Sequence, residues 1–546
     1  MFACLAHAET NLENLSINVD GIDYEVELQQ SSFADRVTIQ VAESVTSDAS
    51  SIELYQGTAP EVPGSWIAAS YQDGEWQGMA SMHDKLYELK GFSKSNSSLS
   101  TVENNNTVSM QSEELVLSGD FDIHNMCAIP HDDKSNEDTA ESKTALATVL
   151  PGASTANATT ATAVNGITQA VNVVLALDQF HTNQFGNGSV ARAMRILNNV
   201  DAIYRNSLGI ALNNTAIVSY NNNSPIFGTS TDADAILTQL ANAQTQNAVF
   251  GNSPRTLGAV LTARNIQSNG NNGVAGIAFL NATCSNIAVS LNEDRASEGI
   301  ATIILAHEMG HNFGSPHDPN NAQCPSSRFI MSAVVSGGLT EFSPCSQTSI
   351  ANHIQGGTCY KQPIDISLAR TGTPPANNLA QLDTITRQIL VTNNGSINVS
   401  SVRIEGDVDN VSRARFTQVT ANGAACSILA AGESYRCDIA SIAAAQQQVI
   451  TETIQAVSLG VFNISSSFDS SNVTARIDIM PGNQTVTDQR TVTTTTANEP
   501  NVPSSTPTTP SSSSGSGSSS SGGGGGGAFY LLTILLLLTN LAKRRS

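Results

Sequence analysis

Apolar and polar positions alternate along the first hundred residues. Asp23-Tyr24-Glu25-Val26-Glu27-Leu28 and Arg36-Val37-Thr38-Ile39-Gln40-Val41 repeat with period two, the pattern of strands with one buried face. Residues 9–130 therefore read as an independent β-rich domain, followed by a polar connector at 131–165. From 166 to 361 apolar strand-like runs such as 171–178 alternate with helix-period stretches such as 196–204, which predicts an α/β domain. Residues 362–493 return to short strands (Ile389-Leu390-Val391, Val402-Arg403-Ile404, and Val473 to Ile479) between Gly/Asn turns. That pattern predicts a β-sandwich of immunoglobulin type. The fold class is thus multidomain.

The two ends differ from this. Ala6-His7-Ala8 has the small-x-small form of a signal-peptidase site, so residues 1–8 read as the end of a truncated signal peptide; an ordinary short apolar terminus is the alternative. Residues 494–527 are almost all Thr, Pro, Ser and Gly, ending in six glycines, and predict a disordered linker. Residues 528–542 (AFYLLTILLLLTNLA) form a short apolar helix followed by Lys543-Arg544-Arg545. Fifteen apolar residues fall short of the ~20 that span a bilayer comfortably, and the basic cluster places the C-terminus on the cytoplasmic side. The tail at 528–546 resembles the GlyGly-CTERM sorting tail of Gram-negative bacteria. That resemblance implies removal by a rhomboid-type protease and an extracellular or surface location; a permanent single-span transmembrane anchor is the other reading.

Composition narrows the function classes. Twenty-five basic residues stand against 47 acidic ones, a net charge of -22. A nucleic-acid binder needs a basic footprint, which the chain as a whole lacks. The eight cysteines, at 4, 127, 284, 324, 345, 359, 426 and 437, include no CxxC pair. Wide spacing in an Asn/Thr/Ser-rich chain points to disulfides formed outside the cytosol.

The chemistry is concentrated in AHEMGHNFGSPHD, residues 306–318. His307 and His311 are four apart, so on a helix they share one face and reach one metal ion. The preceding 299–306 is apolar and helix-compatible. Gly314 suits a sharp turn out of the helix, which brings His317 back toward the same ion. Three neutral imidazoles leave one position on Zn²⁺ open, the arrangement of a catalytic site. Glu308, beside the first ligand, is placed to take a proton from water there and pass it to a leaving amine. Only 9 of 546 residues are His, so chance is a poor account of three in this register.

This string resembles the long zinc signature of the metzincins. Asp318 after the third histidine resembles the adamalysin/reprolysin branch, and Phe329-Ile330-Met331-Ser332 resembles its methionine turn. The resemblance implies one catalytic zinc, with Met331 beneath it. It further implies that 276–280 is the edge strand along which an extended peptide substrate lies. Residues 54–90 resemble the propeptide of the same branch, and His124-Asn125-Met126-Cys127-Ala128 resembles its cysteine switch, with Ala128 where the family carries Gly. A Cys127 thiolate filling the open zinc position would hold the enzyme latent; a half-disulfide or buried thiol is the alternative.

Four cysteines within 166–361 allow three pairings; the resemblance favours Cys284–Cys359 and Cys324–Cys345. Cys426 and Cys437, eleven apart, are expected to pair locally. Two departures stand out. The connector holds no dibasic pair for a furin-like enzyme, so self-cleavage or another protease is expected to activate the zymogen. Asn172 and Ser253-Pro254-Arg255 stand where the family's calcium site has acidic residues, so bound calcium is doubtful. The leading expectation is a secreted or surface-displayed zinc endopeptidase acting on protein or peptide substrates, with no nucleic-acid partner and a membrane contact through the C-terminal tail. A surface adhesin working through the 362–493 sandwich is the alternative.

Overall fold

The computed structural model describes residues 15–31, 38–41, 52–91, 108–115, 125–127, 166–251, 255–268, 274–295, 297–319, 321–325, 328–333, 340–355, 357–372, 377–470, 476–479 and 483–494. It is multidomain and strand-rich, with few helices. The expected signal-peptide remnant at 1–8, the 131–165 connector and everything beyond 494 lie outside the described residues. Among the described residues no helix is long and apolar enough to cross a membrane. Met1–Thr496 form one compact unit.

Near the N-terminus, β1 (Leu15–Val19) and β2 (Ile22–Ser31) join β4 (Glu53–Thr58), β5 (Trp66–Gln72), β6 (Glu75–Met82), β7 (Lys85–Gly91) and β8 (Val108–Glu114) in a closed barrel. Alternation decides what each face meets. On β5, Ile67 and Ala69 fill the barrel with Ile17, Tyr55 and Leu89. Trp66 and Ala68 point the other way, into a core shared with residues of the middle domain. The expectation of an independent domain is therefore corrected: Leu54, Trp66, Ala68, Met79 and Leu86 make an apolar patch on the barrel's outer face, and the middle domain covers it.

The middle domain is built on a sheet of order β3-β11-β10-β12-β14-β13-β9. Its own strands are β10 (Gln169–Leu177), β11 (Ile210–Ser219), β12 (Leu257–Thr262), β13 (Val274–Ala278) and β14 (Val289–Glu293). β10, β11, β12 and β14 run parallel, and β13 is antiparallel to β14. The outermost strands come from the N-terminal part of the chain. β3 (Thr38–Val41) pairs with β11, and β9 (Asn125–Cys127) pairs with β13, both parallel. Thr38–Val41, expected in the β-rich domain, thus belongs to this sheet. The edge expected to be open at 276–280 is paired by β9 at its start: Asn125 lies level with Val274 and Cys127 with Gly276. Unpaired edges invite strand addition, and here the chain supplies both additions itself.

Six helices are described: α1 (Gln179–Phe185), α2 (Ser189–Leu208), α3 (Ala233–Leu240), α4 (Ala243–Phe250), α5 (Glu298–Asn312) and α6 (Pro344–Ile354). Along β10, Val173, Leu175 and Leu177 face the core made with α2, α5 and the barrel. Val174 and Ala176 face the core under α3 and α4. A strand buried on both sides reads as a continuous apolar run, which is what 171–177 shows.

The C-terminal part is a sandwich of a five-stranded and a six-stranded sheet over one apolar core. Arg387 is buried in that core, with ion pairs to Glu452 and Asp488. Of the predicted 473–479 strand, Arg476–Asp478 is described, and it pairs with Gln362–Ile364 outside the two main sheets. Ile477 and Ile479 there pack on Ile167, Ala170 and Ala211 and fix the sandwich to the middle domain.

Candidate metal centre

Helix α5 carries two of the three histidines, and its local chemistry explains where it starts and stops. The Ser297 side chain caps it by accepting from the Ile300 N–H, with Glu298 in the first turn. Residues 299–312 are buried throughout, so the helix is held by packing on all sides. Gly314 ends it at φ +98, with its N–H on the His311 carbonyl (2.9 Å) and the Ser315 N–H on the Gly310 carbonyl (3.0 Å). A side chain at 314 would also meet Asn281 and His353, so glycine is required there twice over.

The turn returns His317 to the helix. The Nε2 atoms of His307 and His311 lie 3.0 Å apart, and those of His307 and His317 3.2 Å. His307 Nδ1 is 2.7 Å from the Ile330 carbonyl, and His311 Nδ1 is 2.7 Å from the Ser315 carbonyl. Carbonyls only accept, so both Nδ1 atoms carry the proton and both Nε2 atoms present lone pairs. Two such lone pairs cannot hydrogen-bond to each other; a shared cation is what reconciles them. Tetrahedral bonds of 2.0–2.1 Å place two ligand nitrogens about 3.3 Å apart, close to the separations here. The three histidines are the one group of metal-ligating side chains of this kind among the described residues, and they fit a zinc ion. Burial, then the neighbouring imidazoles, push the His307 pKa well below its usual value and that of His311 down to about 3, so both rings are neutral, as ligands must be.

Glu308 is fully buried next to the first ligand. Its carboxylate lies against Gly276 of β13: a Cβ built at 276 would sit 2.5 Å from Oε1. In the sheet, Gly276 is level with Cys127 on β9. The Cys127 backbone is thus one strand away from the glycine that touches Glu308; its side chain lies outside the described residues.

Met331 is fully buried under the helix. A Cβ at Gly310 would meet its Sδ at 2.5 Å, so the absence of a side chain at 310 lets this turn approach α5. The Asp318 N–H donates to the Met331 carbonyl (2.9 Å), and its Oδ1 accepts from Ser343 and Ser346 at the start of α6. Burial raises the Asp318 pKa, and the two serines oppose it. Tyr204 of α2 donates to the Ala306 carbonyl (3.0 Å), with Phe313 and Phe342 against its ring. The sequence places Gly276 only at the start of the expected edge strand, and singles out neither Gly310 nor Tyr204. A glycine within a strand and another inside the helix between two ligands were the available signals.

Disulfides join Cys284 to Cys359, Cys324 to Cys345 and Cys426 to Cys437. Asn172 accepts from Asn213 and supplies no charge to a cation.

The barrel reaches this centre from behind. Glu88 of β7 accepts from the Gly299 N–H in the first turn of α5 (3.2 Å). Gln56 donates to Asn198 and Asp201 of α2, and the Trp66 indole donates to the Thr340 carbonyl (3.4 Å), nine residues past Met331.

Residues 167–343 match the Reprolysin_5 family model, Metallo-peptidase family M12. The match spans strands β10 to β14, α5 and all three histidines. It supports a reprolysin-type metalloprotease, and with it a zinc-dependent peptidase acting on proteins or peptides. Two solved structures of the CARDB domain of the PF1109 protein from Pyrococcus furiosus, one in solution and one a crystal with di-metal ions, are 16% identical to this chain. They cover 24% of it and 94% and 93% of their own length, with TM-scores of 0.17 and 0.16. At those scores neither bears on fold or function.

Proposed function

We propose that the chain is an exported zinc endopeptidase made as a latent zymogen, with His307, His311 and His317 as ligands and Glu308 as general base. One observation carries the reading: three imidazoles converge, those of His307 and His311 in neutral form, with a buried carboxylate beside them. Zinc held there supplies Lewis-acid chemistry, acidifying water and polarising the scissile carbonyl. Glu308 accepts a proton from the attacking water as the C–O bond forms. It returns that proton to the amine as the C–N bond breaks, so no other proton carrier is needed. Gly276 keeps the carboxylate's side of the site narrow, and the Ile330 and Ser315 carbonyls hold the imidazoles in the tautomer that ligates.

Latency follows from where β9 lies. An extended peptide substrate would pair with β13, and Asn125–Cys127 takes that lane, running parallel to it. With Cys127 as the switch, its thiolate would be the residue that takes the open zinc position in place of water. Activation then requires both the lane and the fourth ligand position to be vacated. An oxidised, extracellular or cell-surface location fits the three disulfides.

The test is Glu308→Ala on the full chain after cleavage within 131–165 and proteolytic removal of the barrel, beside wild type treated in the same way. Casein hydrolysis is expected to disappear while one zinc per chain remains by metal analysis. Wild-type activity in this variant, or no zinc in the native protein, overturns the reading.

A further inference from the structure

Two of the three histidines ride on α5, but His317 lies on irregular chain past the helix end. Where it stands depends on what holds the segment from Gly314 to Asp318. Helix α6 touches both ends of that segment. At its start, the Ser343 and Ser346 hydroxyls donate to Asp318 Oδ1. Its last turn carries His353, whose Cβ and Cγ stand 2.8 and 3.1 Å from where a Cβ on Gly314 would lie. The lengths agree. From Ser346 to His353 the helix rises about 10 Å, within the ~14 Å that extended chain from Gly314 to Asp318 can reach.

His353 is itself anchored. Its Nε2 lies 2.7 Å from the buried Thr283 hydroxyl, which in turn lies 2.6 Å from the Tyr360 hydroxyl. A threonine hydroxyl has one proton to give and lone pairs that accept, so Thr283 serves both neighbours, giving to one and accepting from the other. The backbone around Thr283 is tied to the end of α5. The Asn281 N–H donates to the His311 carbonyl (3.0 Å), and the Ala282 and Thr283 N–H groups donate to that of Asn312 (2.8 and 3.0 Å). Carbonyls in the last turn of a helix have no partner within it, and this segment supplies one. The Cys284–Cys359 disulfide joins the residues next to Thr283 and Tyr360, and the Tyr360 ring stacks on Phe313 at 6.4 Å between centroids. Gly357 makes the room, since a Cβ there would run into the Tyr360 ring and Cys284 Sγ.

The imidazole of His353 is therefore backed by a hydrogen-bonded, covalently braced group, and its near end bears on the glycine that makes the bend. Gly314 sits at φ +98 and carries no side chain of its own to restrain it. His307 and His311 are placed by the helix and need no such support; His317 is placed by the bend.

We propose that His353 is a positioning residue for the third zinc ligand: held by Thr283, its ring backs the Gly314 bend and so sets where His317 meets the metal. This rests on the reading of the three histidines as zinc ligands.

The test measures zinc affinity of the full chain by chelator competition, with Zn²⁺ itself as the probe, and the melting temperature with and without the metal. Outer supports of a metal site are worth about 10–100-fold in affinity, and His353→Ala is expected to weaken zinc binding about tenfold. Thr283→Val keeps the shape and loses the hydroxyl; it is expected to weaken binding about fivefold, while Thr283→Ser keeps wild-type affinity. That pair decides the matter if His353→Ala does not fold. With His317→Ala already in place, His353→Ala should weaken binding no further, because it acts through that ligand. The rise in melting temperature on adding zinc should shrink in His353→Ala, since stabilisation by a ligand follows its dissociation constant. Unchanged zinc affinity in folded His353→Ala and Thr283→Val overturns the proposal. So does a melting temperature that falls equally with and without zinc, the mark of a role in the fold alone, and so does a full His353→Ala effect in the His317→Ala background. A wild-type chain that takes up no zinc sinks the metal reading and this proposal together, whereas a zinc-binding wild type with indifferent variants sinks this proposal alone.

Discussion

The carboxylate of Glu308 rests on the bare Cα of Gly276, one strand from the backbone of Cys127. A single glycine therefore sets how close this carboxylate comes to β13 and to the strand paired beside it. Glu308 is carried by α5 and Gly276 by β13, so the contact ties the zinc helix to the sheet edge.

Gly276→Ala is expected to displace the Glu308 carboxylate, since a Cβ at 2.5 Å from Oε1 has no room. General-base catalysis is worth ~10²–10⁴-fold, and a loss of that order in kcat/KM is the expected outcome. Zinc content should stay at the wild-type value by metal analysis. A variant that loses zinc and activity together would show that the glycine supports the ligands instead.

Gly310→Ala adds a methyl group 2.5 Å from Met331 Sδ, within the turn that carries two ligands. Alanine favours a helix interior by about 1 kcal/mol, whereas overpacking costs about 1–3 kcal/mol. A net loss of stability is expected as a lower Tm. Combining it with Met331→Ala should cost less than the sum of the two single changes, a coupling that a double-mutant cycle measures.

Cleavage within 131–165 alone is expected to leave the barrel bound. Trp66, Leu54 and Met79 share a core with Ile196, Leu197 and Val200 of the middle domain, and β3 and β9 cap both edges of its sheet. After nicking, both pieces should co-elute by size exclusion, and peptidase activity should rise only once the barrel is degraded. Immediate separation of the fragments would contradict the shared core.

Burial raises the Glu293 pKa to about 7, against the lowering effects of Arg295 and the Ile266 N–H. Between pH ~4.5 and ~7 the folded chain keeps this proton while the unfolded chain releases it. Glu293 therefore lowers stability as pH rises through that window, by on the order of 3 kcal/mol in full. The destabilisation is absent below the unfolded pKa. Glu293→Gln should flatten the loss between pH 5 and pH 7 in a denaturant titration, and an unchanged slope would refute the assignment.

Much of the centre was legible in the sequence because its residues are close along the chain. His307, Glu308 and His311 occupy one helical turn and Gly314 the next bend, so helix geometry alone relates them. The barrel strands, the doubly apolar β10 and the alternating sandwich strands were legible for the same reason: a period of two records which faces are buried. Met331 was reached by resemblance and not by periodicity, since nothing local marks a methionine as lying beneath a metal.

What the tertiary structure decided is every relation between distant segments that meet backbone to backbone. Thr38–Val41 alternates like any strand of the barrel, yet it pairs with β11, because a strand's pattern records the burial of its faces and not the identity of its edge partner. The apolar outer face of the barrel is equally silent about what covers it. The pairing of β13 with Asn125–Cys127 and the seat of Glu308 on Gly276 both arise from segments far apart in the chain. Side-chain chemistry follows from residue identity and local geometry, whereas edge pairing and close approach depend on which backbones folding brings side by side.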